Sequence, residues 1–437
     1  MPREETIVPH TLFADVTVID GTGAAPFVAS VLITGNRVAA VTPAGVPGTP
    51  PRPLPEGTDL IDGTGLTLMP GLTEAHAHPS YLNIPNLHAL GEIPPEEHLL
   101  ETVKNVRIML DAGFTSLNSA ASGKARIDIV VRNAINKGDI PGPRMLAASP
   151  EMTVTGGLGD PSLLHLHRET FAAVLDGPEE FRKYSRLMCR EGVDTLKINP
   201  SGDEFVPFAR AEQTTMNEAE IAAVCEVAKS RDKRVMAHAR SSDSVKMCLR
   251  HGIDLINHAT FADEEAIDGL EAARERVFVI PAIAVLWTAL HEASDWGITP
   301  QVAEGLGMKR EVEMACRKIP EMKKRGIRIL PGGDYGFAWN PIGNNARDLE
   351  YFVDLFGFSP MDTIVSATKL GGELMMRGHE LGQIRHGYLA DLLLVDGDPL
   401  ADIRILQDRT RLLGIMKDGT FHKRPAARAG RQRLAAE

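Results

Sequence analysis

The middle of the chain alternates short apolar runs with longer amphipathic segments. The apolar runs have the length and composition of buried strands, and they cover residues 116–119, 144–148, 195–198, 234–238, 255–258, 277–280 and 327–331. Helical spacing of apolar residues is found between them, as in 178–191, 217–231, 241–252 and 301–325. Strands that alternate with helices form a parallel sheet, and about eight such units close into a barrel. We therefore expect a TIM-like (β/α)8 barrel over residues 66–385.

Both ends of the chain are rich in strand patterns instead. Strands are predicted at 13–20, 28–33, 37–41 and 67–69, and again at 389–395, 412–416 and 420–423. Residues 42–58 are rich in proline and glycine, so we expect a loop there. We infer that residues 1–65 and 386–437 together form one discontinuous β-sandwich domain.

Composition limits the class of partner. The chain has 437 residues, a net charge of -11 and a pI near 5.7, which argues against nucleic acid and anionic membranes because both favour a basic face. The four cysteines show no C-x-x-C spacing, and no apolar run is long enough to span a bilayer. We expect a cytoplasmic protein that acts on a small molecule. The composition leaves homo-oligomer formation and any role of the basic C-terminal tail open.

Two histidines stand two residues apart at the end of an apolar run. His76 and His78 lie in LMPGLTEAHAHP, at 68–79. Alternate side chains of a strand share one face, and neutral imidazole is a good ligand for zinc-like cations. A second pair, His165 and His167, follows a glycine-rich loop and has no partners at strand ends. We expect the first pair to bind metal and the second to lie on the rim.

Further potential ligands stand where other predicted strands end. Active sites of parallel barrels lie at the C-terminal ends of the strands. The predicted strands of the barrel carry or lead to Lys197, His238, His258 and Asp334 at these positions. The spacing from His238 to His258 also fits one strand-helix unit. The sequence therefore predicts one site that contains all these residues.

This set resembles the amidohydrolase superfamily over essentially the whole chain. Members carry His-x-His on the first barrel strand, a lysine on the fourth, histidines on the fifth and sixth, and an aspartate on the eighth. The sequences GYLADLLLV at 387–395 and GDPL at 397–400 are similar to the superfamily's C-terminal signature. Residues 192–197 and 345–350 look most like the branch of imidazolonepropionase-like proteins, prolidase-type dipeptidases and ochratoxin-degrading amidases.

The resemblance implies a centre with two divalent ions. Lys197 would react with CO₂ to give a carbamate, whose two oxygens can bridge two ions as an ammonium cannot. His76, His78 and Asp334 would hold the more buried ion. His238 and His258 would hold the more exposed one. We expect the ions to be zinc. Manganese and cobalt are alternatives, because all three metals accept imidazole and carboxylate ligands.

The same resemblance implies a hydrolytic mechanism. Two close ions share a hydroxide of lowered pKa, which attacks the substrate carbonyl. Asp334 would act as the catalytic acid and base, carrying the proton to the leaving nitrogen.

Departures from the branch pattern bear on the substrate. Relatives often have a histidine where this chain has Leu158, and another where it has Ile342. The loop after Asp334 contains Phe337 and Trp339, and Trp287 is expected in the loop after 277–280. These five side chains (Leu158, Trp287, Phe337, Trp339 and Ile342) predict an apolar substrate pocket.

We therefore expect an amidohydrolase that cleaves an amide, urea or carbamate-type C–N bond of a small, largely apolar or aromatic substrate. The alternative is a prolidase-like dipeptidase or carboxypeptidase. A cyclic-amidine deaminase is disfavoured because such relatives usually hold one metal and lack the bridging lysine. A non-catalytic scaffold of the same fold is disfavoured because the ligand set is intact.

Overall fold

The computed structural model describes residues 8–45, 54–206 and 208–426. Part of the predicted loop (46–53) and most of the basic tail (427–437) lie outside these ranges. None of the described helices has both the length and the hydropathy needed to cross a membrane.

The described strands and helices follow in chain order. The strands are β1 (His10–Val18), β2 (Phe27–Thr34), β3 (Arg37–Pro43), β4 (Asp59–Asp62), β5 (Thr67–Pro70), β6 (Leu72–Ala77), β7 (Phe114–Ser119), β8 (Arg144–Leu146), β9 (Ala148–Thr153), β10 (Ala172–Val174), β11 (Thr195–Ile198), β12 (Arg234–Ala239), β13 (Leu255–His258), β14 (Phe278–Ile280), β15 (Arg328–Ile329), β16 (Leu392–Val395), β17 (Leu412–Lys417) and β18 (Thr420–Lys423). The α-helices are α1 (Pro95–Asp111), α2 (Ile127–Lys137), α3 (Pro178–Glu191), α4 (Glu218–Ser230), α5 (Ser242–Arg250), α6 (Glu264–Ala272), α7 (Ile283–Glu292), α8 (Pro300–Gly305), α9 (Met308–Lys324), α10 (Arg347–Asp354), α11 (Pro360–Val365) and α12 (Gly371–Leu374).

Strands from both ends of the chain share one sheet. Its order is β18-β17-β16-β5-β1-β2-β3, and β4 also pairs with β1. Strand β5 lies between β1 and β16, parallel to the first and antiparallel to the second. The N-terminal and C-terminal strands therefore meet in one sheet, while the domain limits at 65 and 386 stay predictions.

The middle of the chain forms the expected parallel α/β structure. One sheet has the order β6-β7-β8, and the other has the order β10-β9-β11-β12-β13-β14-β15. All neighbouring strands in both sheets are parallel. The edge strand β6 of the first sheet lies beside the end of β15, the edge strand of the second. The Ala75 N–H of β6 donates to the Pro331 carbonyl just after β15, at 3.2 Å. The first strand and the end of the last one are therefore neighbours.

Local sequence explains where the helices around the parallel strands begin and end. Helix α4 starts with a capping box, in which Asn217 caps the first turn and the Glu220 carboxylate accepts from the Asn217 N–H. The predicted helix 301–325 is wrong as one element, because it is divided into α8 and α9. Gly307 stands between them with a φ of 94°, a left-handed conformation that a helix cannot continue through.

Candidate metal centre and substrate cavity

The first predicted metal ligands converge in the structure. The Nε2 atoms of His76 and His78 lie 3.1 Å apart, and Asp334 Oδ1 is 3.6 Å from the first and 3.1 Å from the second. A tetrahedral zinc with ligands at 2.0–2.1 Å places those ligands about 3.3 Å from one another. The three atoms therefore have the spacing that one ion requires. The other pair, His165 and His167, is exposed.

The hydrogen bonds of the histidines fix which nitrogen is free to bind. His78 Nδ1 lies 3.3 Å from the Ala121 carbonyl, and His238 Nε2 lies 3.0 Å from the Gly202 carbonyl. A carbonyl oxygen can only accept, so these two nitrogens carry the protons. The lone pairs of His78 Nε2 and His238 Nδ1 are left, and the second of these faces His258 Nε2 at 2.9 Å. Within each pair, His76 with His78 and His238 with His258, two ring nitrogens therefore face each other.

Burial favours the neutral form of three of the histidines. Loss of solvent lowers the pKa of His76, His238 and His258 well below the usual value of 6.5. Neutral imidazole is the form that coordinates a metal. These three imidazoles therefore favour the form that can coordinate a cation.

The backbone bends sharply where two of the ligands stand. His258 has a φ of 72° and Asp334 a φ of 58°, a left-handed conformation that is rare outside glycine and concentrates at functional sites. Gly332 lets the segment after β15 approach β6, because a Cβ there would lie 2.5 Å from the backbone nitrogen of His76. The ring centroids of His76 and His258 are only 5.4 Å apart, so the two histidine pairs adjoin.

Lys197 lies in the same site and is only 1 % exposed. Its backbone N–H donates to Ser149 Oγ at 3.0 Å, but its amine makes no hydrogen bond or ion pair with any described residue. Burial lowers the pKa of the amine, against the opposing effect of the Glu151 and Asp334 carboxylates. A buried amine without a hydrogen-bond partner is costly, so Lys197 is not an ordinary lysine of the core.

The candidate metal ligands open into a cavity of about 430 Å³, within the range of small-molecule sites. Aromatic side chains form part of its wall, where Phe205, Phe337 and Trp339 make a continuous group with ring centroids 5.1–6.3 Å apart. Leu158 also lines the cavity. Three of the five predicted substrate contacts (Leu158, Phe337 and Trp339) are therefore brought to the metal site.

The structure places the other two predicted contacts elsewhere. Trp287 does not lie in a loop, as expected, but on α7, where its ring contacts His291 and Tyr351 at 4.3 and 6.0 Å. The prediction failed because α7 begins only three residues after β14 ends, which leaves no long loop. Ile342 is buried, its N–H donates to Asn83 Oδ1 at 2.7 Å, and it is not among the cavity-lining residues.

A buried network behind the ligands was missed from the sequence. The Tyr81 ring stacks on His78 with centroids 3.9 Å apart, and its hydroxyl donates to Glu151 Oε1 at 3.1 Å. Asn199 Nδ2 donates to Glu151 Oε2 at 2.6 Å and to the Leu158 carbonyl at 3.2 Å. The network links a metal ligand to the substrate wall. One signal was available, since Asn199 stands two residues after Lys197 and shares its side of the chain.

A second missed residue is Arg240, which lines the cavity but is only 1 % exposed. Its Nε donates to Asp203 Oδ2 at 2.9 Å, and its terminal nitrogen pairs with Glu311. The guanidinium charge is therefore neutralised within the protein.

Comparison with known proteins gives this site a family. The amidohydrolase family model matches residues 67–421. Ochratoxinase from Aspergillus niger is 24% identical over 389 residues, covering 82% of this chain and 76% of that protein. Imidazolonepropionase from Rubrobacter xylanophilus is 22% identical over 412 residues, covering 90% of each. The structure of a prolidase complexed with N-methylphosphonate-L-proline is 25% identical with a TM-score of 0.84, covering 95% of this chain and 100% of that one. The chain belongs to the amidohydrolase family.

Proposed function

We propose that the protein is a binuclear metal-dependent hydrolase that cleaves an amide, urea or carbamate-type C–N bond of a small apolar or aromatic substrate. One observation carries the proposal: two pairs of imidazole nitrogens share a site with one buried lysine, whose amine has no partner among the described residues. The proposal includes closure of the two parallel sheets into one (β/α)8 barrel, supported by the bond between Ala75 and Pro331.

The residues fit two divalent ions, for which zinc is the first candidate. His76, His78 and Asp334 would hold one ion, and His238 with His258 the other. Lys197, as its carbamate, would bridge them. Two bound divalent ions would supply a water of lowered pKa and polarise the substrate carbonyl.

Asp334 has the placement that proton transfer requires. Its side chain is 13 % exposed, whereas those of His76 and His78 are 1 and 2 % exposed. Its Oδ1 faces the two histidines, so the carboxylate can hold a proton at Oδ2 and deliver it to the leaving nitrogen. Phe205, Phe337 and Trp339 would exclude water from the apolar part of the substrate.

A prolidase-like dipeptidase or carboxypeptidase remains the second candidate. It is favoured by the 25% identity to a prolidase whose structure holds a phosphonate analogue of a proline dipeptide. It is disfavoured by the apolar Leu158 at a cavity position where dipeptidase-like relatives often have histidine.

Metal analysis combined with a hydrolysis panel tests the proposal. We expect about two ions per chain after reconstitution and turnover of anilides, phenylureas, thiocarbamates or N-acyl amino acids. Lys197→Ala should lose metal and lower kcat/KM by about a hundredfold or more. Lys183→Ala, a change of an exposed lysine on α3, is the matched control. Labelled bicarbonate should give a carbamate carbon signal in the wild type that is absent in Lys197→Ala.

Three results would contradict the proposal. These are activity in metal-free protein, full activity of Lys197→Ala, and turnover restricted to charged dipeptides. The last result would favour the second candidate instead.

A further inference from the structure

A buried aspartate outside the metal site ties three segments of the chain together. Asp128 lies in the first turn of α2 and is fully buried. Its Oδ1 accepts from the hydroxyls of Ser80 and Ser122 at 2.9 and 3.1 Å, and its Oδ2 accepts from the hydroxyl of Ser119 at 2.5 Å. Ser80 lies in the turn after β6, Ser119 ends β7, and Ser122 follows β7. One carboxylate therefore connects the ends of two neighbouring parallel strands to a helix.

The three hydroxyl donors suit an ionised carboxylate, which can only accept. Burial raises the pKa of Asp128 from 3.8 to about 6, although the hydrogen bonds from the three serines oppose the rise. Above this pH the carboxylate is charged in most molecules. Hydrogen bonds to a charged acceptor are about twice as strong as those between neutral groups, so the serines are then held most firmly.

Ser80 is held at three points. Its hydroxyl donates to the carboxylate and accepts from the Gly123 N–H at 2.7 Å. Its carbonyl oxygen lies 2.6 Å from His98 Nε2, which therefore carries the proton. The carbonyl before it, of Pro79, accepts from Asn105 Nδ2 at 2.8 Å. These two residues are thus fixed by α1, by α2 and by the loop after β7.

The turn that these bonds fix also carries a proposed metal ligand. His78 stands just before Pro79, and the Tyr81 N–H closes the turn by donating to the His78 carbonyl at 3.0 Å. The Tyr81 ring stacks on the imidazole with centroids 3.9 Å apart. A displacement of Ser80 would therefore move both the backbone of His78 and the ring that lies over it.

We propose that Asp128 is a positioning residue of the candidate metal centre and that it fixes the direction of the His78 imidazole through Ser80. The inference depends on the proposed function, because it requires His78 to bind a metal. Within the part of the chain that the structure describes, Asp128 makes no hydrogen bond or ion pair with a proposed metal ligand. Its connection to the site therefore runs through the turn.

Cobalt binding tests the proposal without requiring turnover. Co²⁺ is the probe because it accepts imidazole and carboxylate ligands, and its visible absorption spectrum responds to the geometry of those ligands. Affinity is measured by competition with a chelator at about pH 8, where the carboxyl is ionised. We expect Asp128→Ala and Ser80→Ala each to lower the affinity by about tenfold and to change the spectrum of the bound ion.

Two further variants separate the hydrogen bond from the charge. Asp128→Asn removes the charge but keeps an oxygen that can accept from Ser80, so it should retain part of the affinity that Asp128→Ala loses. Ser80→Ala keeps the charge and removes the bond. The double variant Asp128→Ala, Ser80→Ala should bind cobalt about as tightly as either single variant, since both changes break one connection.

Ser185→Ala is the matched control for loss of a buried hydroxyl. Ser185 lies on α3, is fully buried and donates to Met152 Sδ at 3.7 Å. The variant should keep the wild-type affinity and spectrum. Urea unfolding of each metal-free variant shows whether it folds, and Ser80→Ala alone decides if the Asp128 variants do not.

Wild-type affinity and spectrum in a folded Ser80→Ala variant would overturn the proposal, as would losses that add fully in the double variant. The outcome is separable from that of the proposed function. A two-metal hydrolase that is insensitive to these changes would lose only the positioning residue. Weakened cobalt binding in a protein that hydrolyses nothing would remove only the hydrolase.

Discussion

A buried carboxyl close to the candidate metal ligands allows a quantitative prediction of how the free energy of unfolding depends on pH. Asp348, on α10, is 1 % exposed, and its Oδ2 accepts from the Gly332 N–H at 2.8 Å. Its Oδ1 has no hydrogen-bond partner among the described residues. Burial raises the pKa of Asp348 from 3.8 to about 7, although the hydrogen bond from the Gly332 N–H opposes the rise. The folded protein thus keeps a proton that the unfolded chain releases.

The sign of the effect follows from proton binding. Between the unfolded and folded pKa values the folded state binds more protons, so a rise in pH favours unfolding. At about 1.36 kcal/mol per pKa unit, the full loss of stability is about 4 kcal/mol. About 2.5 kcal/mol of it falls between about pH 5 and about pH 8.

Asp348→Asn removes the titration and keeps an oxygen that can accept from Gly332. The measurement is urea unfolding of metal-free protein across this pH range, followed by tryptophan fluorescence. The wild type should lose about 2.5 kcal/mol more than the variant as the pH rises. Asp295→Asn, a change of an exposed carboxyl, should follow the wild type. Parallel curves for the wild type and Asp348→Asn would refute the reasoning.

Two further predictions concern the support of the metal ligands. Tyr81→Phe keeps the ring on His78 but removes the hydroxyl donor to Glu151. Metal affinity, measured by competition with a chelator, should therefore fall by up to about tenfold. An unchanged affinity would show that the network does not position His78. Gly332→Ala places a Cβ 2.5 Å from the His76 nitrogen, so it should cost about 1–3 kcal/mol of unfolding free energy and lower the metal content. Gly305→Ala is the matched control, since its Cβ would meet nothing within 4 Å, and equal stability of the two variants would contradict the expected clash.

The sequence predicted the site best where metal-ligating residue types stand at the ends of predicted strands. His76, His78, His238 and His258 could be predicted as neighbours because parallel strands end at one edge, whatever the details of packing. Tyr81 could not be found in this way. Its role depends on a turn after β6 that brings its ring over His78, and no local pattern specifies that contact.

Predictions for connecting segments failed for a different reason. The helix expected at 301–325 has apolar spacing throughout, but it breaks at Gly307, whose φ of 94° does not continue a helix. Trp287 was expected at the cavity because it was expected in the loop that follows the predicted strand 277–280. The orientation of α7 directs it to Tyr351 instead. Such orientations are set by the whole core, and a single sequence does not reveal them.

The position of β5 has a consequence for the order of biosynthesis. Only Gly71 separates β5 from β6, the strand that leads to His76 and His78, and the Gly71 N–H donates to the Asp391 carbonyl at 2.9 Å. On the ribosome, the first metal ligands therefore emerge long before β16, the neighbour that anchors their strand. A nascent chain holds these histidines without their final support, so we expect stable metal binding only after β16 has been synthesised. Fragments that stop before β16 should accordingly fail to retain metal even though they contain all six proposed ligands.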